Sequence, residues 1–215
     1  DNVLTIFSPE LGKIRAYGKS TRKLTSSMIG HLETLNFCKF QLYKANQRLT
    51  IVQCQPEKSY TGIRENLDKS LFAMNILELF EKSTLEEHSD YEALKLILST
   101  LDYIETSDNY DLLIETFKIK LLNHTGHLPE IAYCFFCSHK WTDQEKIWIN
   151  TEGHLACEHC ITNLEYNIEF FPFEIMKLIH YICLEKDISI TNSKIKLSEE
   201  QTYHLKKITN IFINN

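Results

Sequence analysis

Four cysteines in two CxxC pairs carry the clearest chemistry in the sequence. They are Cys134, Cys137, Cys157 and Cys160, with nineteen residues between the two pairs. This spacing is typical of four-thiolate zinc sites, because each CxxC turn directs two sulfurs to one ion and two such turns complete a tetrahedron. We therefore predict one structural Zn²⁺ ion held by all four cysteines.

Other chemistries of these cysteines are less favoured but remain open. A redox pair requires a CxxC that opens a helix beside a βαβ unit, and neither is predicted here. A catalytic zinc keeps one ligand position for water, whereas four thiolates leave none. A deaminase requires H-x-E ahead of P-C-x-x-C, but "GHLA" precedes Cys157. An iron–sulfur cluster, unliganded thiols and a substituting histidine (His139, His154 or His159) are the remaining alternatives.

The first 57 residues have the pattern of β-strands. In "KIRAYG", Ile14, Ala16 and Gly18 alternate with Lys13, Arg15 and Tyr17. This period of two is typical of a half-buried strand. "FCKFQLYKA" and "RLTIVQCQ" alternate in the same way around a turn at "NQ", and Pro56 is expected to end the last strand. Several short strands with tight turns predict a small barrel or sandwich.

Helical periodicity replaces this pattern after Pro56. "SDYE" predicts a capping box in which Ser89 begins a helix, and Gly126 fits the end of the following helix. "KIWIN" and "HLA" predict a hairpin that turns at Gly153. Two closing helices are expected to start near Pro172 and at Ser198. We thus predict a helical domain in two parts, residues 58–133 and 161–215, interrupted by a zinc ribbon at residues 134–160.

Charge is divided unevenly along the 215 residues, whose formal net charge is -6. Residues 1–58 contain nine Lys or Arg and four Asp or Glu, whereas residues 59–215 contain 14 and 25. A basic first quarter indicates an anion-binding module joined to a module of another kind. The sequence has no apolar run long enough to span a membrane. Seven cysteines with only two close pairs favour reduced thiols in a cytoplasmic protein, with Cys38, Cys54 and Cys183 as small core residues.

The basic face of the predicted barrel is the best candidate for binding nucleic acid. Basic side chains neutralise phosphates, and aromatic side chains give bases a flat surface for stacking. A small barrel that offers both is how OB-folds hold single strands. The candidate residues are Lys13, Arg15, Tyr17, Lys19, Arg22, Lys23, Lys39, Lys44 and Arg48, with Tyr43 beside them. The ribbon holds more acidic than basic residues, so we do not expect it to read DNA.

Motifs of nucleotide-binding and hydrolytic enzymes are absent from the sequence. It contains no G-x-x-x-x-G-K-[ST], G-x-G-x-x-G or G-x-S-x-G. These absences agree with a protein that is not an enzyme, and a zinc hydrolase or deaminase is the rival hypothesis.

The order of these parts resembles the RecO family of bacterial DNA repair proteins. The resemblance covers nearly the whole chain and is carried by "VLTIFSPELGKIRAYGKSTRK", "LLNHTGHLPEIAYCFFC" and "GHLACEHC". It implies an α+β fold with an N-terminal OB-fold β-barrel, a helical domain and an inserted four-cysteine zinc ribbon. The family's first barrel strand is not found, so Asp1 is expected to lie near the second strand.

The resemblance also implies a function and partners. RecO proteins bind single- and double-stranded DNA, anneal complementary strands and, with RecR, help load RecA onto strands coated by single-strand-binding protein (SSB). By position, the basic barrel residues become DNA contacts, and Lys177, Lys206 and Lys207 become candidates for binding the acidic SSB tail. The family further implies a cytoplasmic location, at the nucleoid during repair. A zinc-braced protein-interaction module without direct DNA binding is the alternative.

Overall fold

The protein folds into two compact units, Asp1–Asp108 and Asn109–Asn215. The computed structural model describes residues 2–18, 32–46, 48–108, 110, 112–143, 145–164 and 168–215. Within these ranges the chain forms two sheets and seven α-helices, which confirms the predicted α+β class. No helix among the described residues has both the length and the apolar character needed to cross a bilayer. The predicted four-part division of the chain stays a prediction.

A four-stranded sheet forms the first part of the first unit. Its strands are β1 (Asn2–Ser8), β2 (Gly12–Gly18), β3 (Asn36–Ala45) and β4 (Arg48–Ser59). They lie in the order β1-β2-β4-β3, so that β1–β2 and β3–β4 are antiparallel hairpins and β2 pairs with β4 in parallel. This arrangement of the N-terminal strands is consistent with the predicted OB-fold.

Strand β2 shows the alternation that its sequence predicts. Ile14 and Ala16 are buried, and Arg15 between them is exposed. Ala16 packs with Ile51 and Cys54 of β4 at the centre of a small apolar cluster, against which Cys38 is partly buried. The inward face of β2 therefore fixes which side chains of the strand reach solvent.

Strand β4 does not end at Pro56, and that prediction was wrong. The strand continues to Ser59, with Pro56 opposite Cys38 beside a register shift in β3. Strand β2 pairs with β4 only as far as Ile51. Proline, which has no N–H to donate, is tolerated where a ladder is irregular and has a neighbour on one side only.

Three helices complete the first unit: α1 (Thr61–Arg64), α2 (Leu67–Ser83) and α3 (Tyr91–Thr106). Polar contacts tie the end of β4 and the start of α1 to α3. The buried Tyr60 hydroxyl donates to Asp102 at 2.7 Å, and Glu105 accepts from the backbone N–H of Gly62 and Ile63 at 3.0 and 2.8 Å. Burial, with the adjacent Asp102 carboxylate, raises the pKa of the Tyr60 phenol.

Helix α3 begins one residue later than predicted. Asp90, not Ser89, is its N-cap, and the Asp90 carboxylate accepts from the backbone N–H of Ala93 at 2.9 Å. Both residues are good capping types, so the sequence alone does not decide between them.

The second unit packs helices around a three-stranded sheet of order β6-β5-β7. Its elements are α4 (Leu113–Thr125), β5 (Lys146–Ile149), β6 (Leu155–Ala156), a 3₁₀ turn (Ile161–Asn163), β7 (Glu169–Pro172), α5 (Phe173–Leu184), α6 (Ile188–Lys194) and α7 (Glu199–Ile213). Three predicted helix boundaries are confirmed: α4 ends before Gly126, α5 starts after Pro172, and α7 starts after Ser198. Ser198 forms a capping box with Gln201. Strand β7, which pairs with β5, was not predicted from the sequence.

Helix α4 is the central element of this unit, and even its charged side chains are buried. Glu115 accepts from the Thr209 hydroxyl and pairs with Lys118 at 3.3 Å. Lys120 donates to the carbonyls of Ile182 and Glu185 at the end of α5. Burial lowers the pKa of Lys120, and these acceptors offset part of the cost of burying its charge.

Replacing Asp90 with alanine should destabilise the first unit by about 1 kcal/mol, because the N–H of Ala93 loses its acceptor. Urea unfolding followed by far-UV circular dichroism measures this change. Ser89→Ala is the matched control and should lie within about 0.5 kcal/mol of the parent protein. An equal loss in both variants would show that Asp90 is not the dominant cap.

Candidate metal centre and nucleic-acid interface

The ribbon of the second unit brings the two CxxC turns together through backbone hydrogen bonds. The N–H of Cys134 donates to the His139 carbonyl at 2.8 Å, and the N–H of Phe135 donates to the Leu155 carbonyl at 2.8 Å. In the second turn, the N–H of Cys160 donates to the Cys157 carbonyl at 2.9 Å. The hairpin of β5 and β6, with Gly153 at a φ of 77°, holds the turns in this register.

The four cysteine sulfurs lie within 4.8 Å of one another. The Sγ atoms of Cys137 and Cys157 are 3.8 Å apart. A tetrahedron with Zn–S bonds of about 2.3 Å has edges of about 3.8 Å, so this separation fits a zinc ion. The Cys134 sulfur also accepts from the backbone N–H of Cys157 at 3.5 Å. These four cysteines could therefore hold one metal ion.

Electrostatics also favours a cation at this cluster. Burial opposes ionisation of Cys134, but backbone N–H groups, first that of Cys157, outweigh it and lower the pKa of the Cys134 thiol to about 7. Burial and the neighbouring cysteine sulfurs raise the pKa of Cys160 to about 12. Four sulfurs this close cannot all ionise side by side unless a positive charge compensates them.

Two of the ribbon histidines have other contacts. His139 pairs with Glu145 at 2.9 Å, and His154 stacks on Phe135 with ring centroids 4.1 Å apart. Among the described residues, the four cysteines are the group of side chains placed so that it could hold a metal ion.

A row of side chains crosses the outward face of the first unit's sheet. Thr50 of β4 lies opposite Tyr17 of β2 on one side and opposite Tyr43 of β3 on the other. Neighbouring strands are about 4.8 Å apart, so the two tyrosines stand about 10 Å apart. Tyr43 is 63% exposed. Thr50 was not among the residues predicted to bind DNA, because its place in the row depends on the register of the β3–β4 hairpin.

Basic side chains flank this row. The Arg48 guanidinium carbon lies 3.7 Å from the centroid of the Tyr17 ring. Lys39 and Lys44 of β3 are exposed. Lys44 follows Tyr43 on β3 and lies opposite Leu49, which packs against the apolar cluster, so its side chain points to the other side of the sheet. We call Tyr17, Lys39, Tyr43, Arg48 and Thr50 the sheet face. Its positive charges and exposed aromatic surface suit a nucleic-acid strand.

Lys13 and Arg15 are engaged by the segment that follows α2. The Lys13 ammonium donates to the carbonyls of Glu81, at 2.6 Å, and Thr84. Arg15 pairs with Glu86 at 3.0 Å. Lys13 thus satisfies the end of α2, where a cation is favoured by the helix dipole. The predicted contacts Lys19, Arg22 and Lys23 lie outside the described residues.

The lysines predicted to bind an SSB tail have acidic and aromatic neighbours in the second unit. Lys177 of α5 pairs with Asp143 and lies over the Phe173 ring. Lys206 is exposed on α7. Lys207 pairs with Glu169 at 2.8 Å and donates to the Tyr203 hydroxyl at 3.0 Å. Hydrogen bonds to Glu169 and then to Tyr203 raise the pKa of Lys207.

Comparison with known proteins gives consistent matches. Residues 64–215 match the family described as "Recombination protein O C terminal". A protein named DNA repair protein RecO from Dehalococcoides mccartyi is 31% identical over 74% of this chain and 63% of its own length. Proteins of the same name from Alkaliphilus metalliredigens and Desulfitobacterium hafniense are 26% and 29% identical, over 99% and 75% of this chain and 85% and 59% of their own lengths. These matches confirm the resemblance predicted from the sequence. The chain spans less than two thirds of the first relative's length.

We expect the purified protein to contain about one zinc ion per chain, since a four-thiolate set selects zinc. The variant Cys157→Ser should lose the ion. Its second unit should then lose part of its secondary structure, which weakens the far-UV circular dichroism signal. Elemental analysis and far-UV spectra of each variant measure the two effects. Cys183→Ser is the matched control and should keep its zinc, because Cys183 lies on α5 outside the cluster. Zinc retained in Cys157→Ser would contradict this assignment.

Proposed function

The chain belongs to the RecO family, and from this premise we propose that it is a DNA repair and recombination mediator that binds DNA and anneals complementary single strands. With RecR, it helps to load RecA onto single-stranded DNA coated by SSB. One observation supports DNA binding by this chain's own residues. On the sheet face, Arg48 stacks on Tyr17, and Tyr43 is exposed in the same row.

Binding to the sheet face combines charge neutralisation with stacking. Lys39 and Arg48 neutralise phosphates and release counterions, which gives affinity without sequence preference. Tyr43 offers its ring to a base, and the planar Arg48 guanidinium offers a second stacking surface. A strand bound in this way keeps its bases accessible to a complementary strand.

Annealing by this mechanism requires no reactive side chain. The barrier to pairing two strands comes largely from phosphate repulsion and from the coating protein. A surface that neutralises charge and displays bases lowers the part of the barrier that comes from phosphate repulsion. We therefore propose a mediator and not an enzyme.

Residues 1–57 are the DNA-binding module in this proposal. Lys13 and Arg15 support the sheet face by fixing the 81–86 segment. Lys19, Arg22 and Lys23 are proposed as further DNA contacts. The carboxylate of Glu86 competes with phosphate for Arg15, so we assign Arg15 a smaller share of the affinity than Arg48.

The metal bound by the four cysteines is proposed to be one structural zinc ion. Zinc would compensate the thiolate charges and fasten the two CxxC turns, which stabilises residues 134–160. Sulfur would fill all four ligand positions of such an ion, so the ion would stabilise the ribbon and would not bind substrate.

The SSB tail is proposed to contact the second unit at Lys177, Lys206 and Lys207. Lys207 lies beside Tyr203, and such a pairing of cation and aromatic ring suits a peptide with both acidic and apolar residues. The tail carboxylates would compete with Glu169 for Lys207.

Reversing two charges on the sheet face should weaken single-strand binding. We expect the variant Lys39→Glu/Arg48→Glu to lose at least about tenfold in affinity. The slope of log K against log salt should fall by about 1 to 2, because two phosphate contacts are lost. Fluorescence anisotropy with a labelled oligothymidine over a salt series measures both quantities.

The matched control for charge is Lys82→Glu/Lys95→Glu, which reverses two exposed lysines, on α2 and α3 of the same unit. It should leave both affinity and salt slope close to those of the parent protein. Equal losses in the control and in the sheet-face variant would mean that only the net charge matters.

Removing the Tyr43 ring tests stacking separately from charge. Tyr43→Ala should cost about 1–3 kcal/mol, or roughly 5- to 140-fold in affinity, while leaving the salt slope unchanged. The same titration supplies the measurement. A variant with unchanged affinity would exclude Tyr43 as a stacking residue.

A further inference from the structure

Exposed aromatic rings form a recess on the zinc ribbon that DNA binding does not explain. Phe135 is 62% exposed and Tyr133 40% exposed, and both line a cavity of about 540 Å³ with His154. Exposed aromatic groups gathered around a cavity usually mark a binding site. We call this cavity the ribbon recess.

The walls of the ribbon recess are held in place by the backbone. The N–H of Phe135 donates to Leu155 at 2.8 Å, and the N–H of His154 donates to Asn150 Oδ1 at 3.0 Å. The rings of Phe135 and His154 are stacked, with an interplanar angle of 22°. Gly153, at a φ of 77°, completes the wall, and a side chain there would be strained. A preformed recess binds without the cost of ordering its walls.

The charged side chains that line the recess favour a cation. Glu130 and Glu152 both line it, and no lysine or arginine of the described residues does. One oxygen of Glu130 accepts from the Ala132 N–H at 3.0 Å, and one oxygen of Glu152 lies 3.3 Å from His154 Nδ1. Each carboxylate has a second oxygen with which to accept a hydrogen bond from a ligand. A phosphate would meet repulsion here.

We propose that the ribbon recess binds a lysine or arginine side chain presented by a protein partner. The aromatic faces of Tyr133 and Phe135 attract a cation, and Glu130 and Glu152 supply the opposite charge. Arginine is the better fit, because its planar guanidinium can stack on Phe135 while it donates to a carboxylate. The partner docks through a basic loop or tail, independently of DNA bound to the sheet face.

The test uses the zinc-loaded full chain, labelled for NMR, and two matched peptides. One is acetyl-Gly-Gly-Arg-Gly-Gly-amide, and the other carries citrulline, which has a similar shape without the charge, in place of arginine. The arginine peptide should shift the signals of Tyr133, Phe135 and Gly153 saturably, with a Kd of about 1 mM or tighter. The citrulline peptide should bind at least about tenfold more weakly.

Variants assign the effect to the recess. Glu130→Gln/Glu152→Gln and Phe135→Leu should each weaken binding of the arginine peptide, the double variant by about tenfold or more, while keeping their zinc. Glu158→Gln, an exposed ribbon residue that does not line the recess, is the matched control and should bind as the parent does.

Three results would overturn the proposal. They are equal binding of the two peptides, shifts confined to residues outside the recess, and an oligothymidine that shifts the recess signals more strongly than the arginine peptide does. The readout does not involve the sheet face, so a failure here leaves the DNA-binding proposal intact, and a failure of DNA binding leaves this one intact.

Discussion

The short parallel pairing of β2 with β4 joins the two hairpins of the first unit into one sheet. Three residue pairs, from Ala16 with Leu49 to Gly18 with Ile51, form this junction. It buries Ala16 against Ile51, and because successive side chains of a strand alternate, it turns Tyr17 outward. The same pairing aligns Tyr17, Thr50 and Tyr43 across three strands and brings Arg48 over Tyr17. A slip of one residue would turn these side chains into the core and abolish the sheet face.

A different constraint acts in the ribbon of the second unit, which is repulsion among four close sulfurs. All four could ionise only beside a cation, and a bound ion would in turn fix the two CxxC turns. The turns carry Phe135, and the hairpin between them carries Glu152 and His154, so one ion would organise both the brace and the ribbon recess. The division of charge along the chain matches two surfaces of opposite sign. The basic sheet face suits nucleic acid, and the acidic, aromatic ribbon suits a basic protein segment.

Local patterns predicted much of this structure. The period of two in β2, the CxxC spacing and the caps at Gly126 and Ser198 each depend on a few neighbouring residues, and the structure agrees with them. Features set by distant partners were missed. Pro56 was expected to end β4, but the ladder with β3 carries the strand past it. The contacts of Lys13 and Arg15 with residues about 70 positions away were not predicted either, and their predicted role in DNA binding stays a prediction. No local pattern reveals such long-range contacts.

The central claim is that the sheet face promotes pairing of complementary strands. It is tested most directly by the rate at which two complementary oligonucleotides, each coated with the cognate SSB, form a duplex. The account predicts that the protein accelerates this reaction and that the folded variant Lys39→Glu/Arg48→Glu loses most of the acceleration, since phosphate neutralisation is removed. No acceleration by the parent protein, or equal acceleration by the variant, would contradict it.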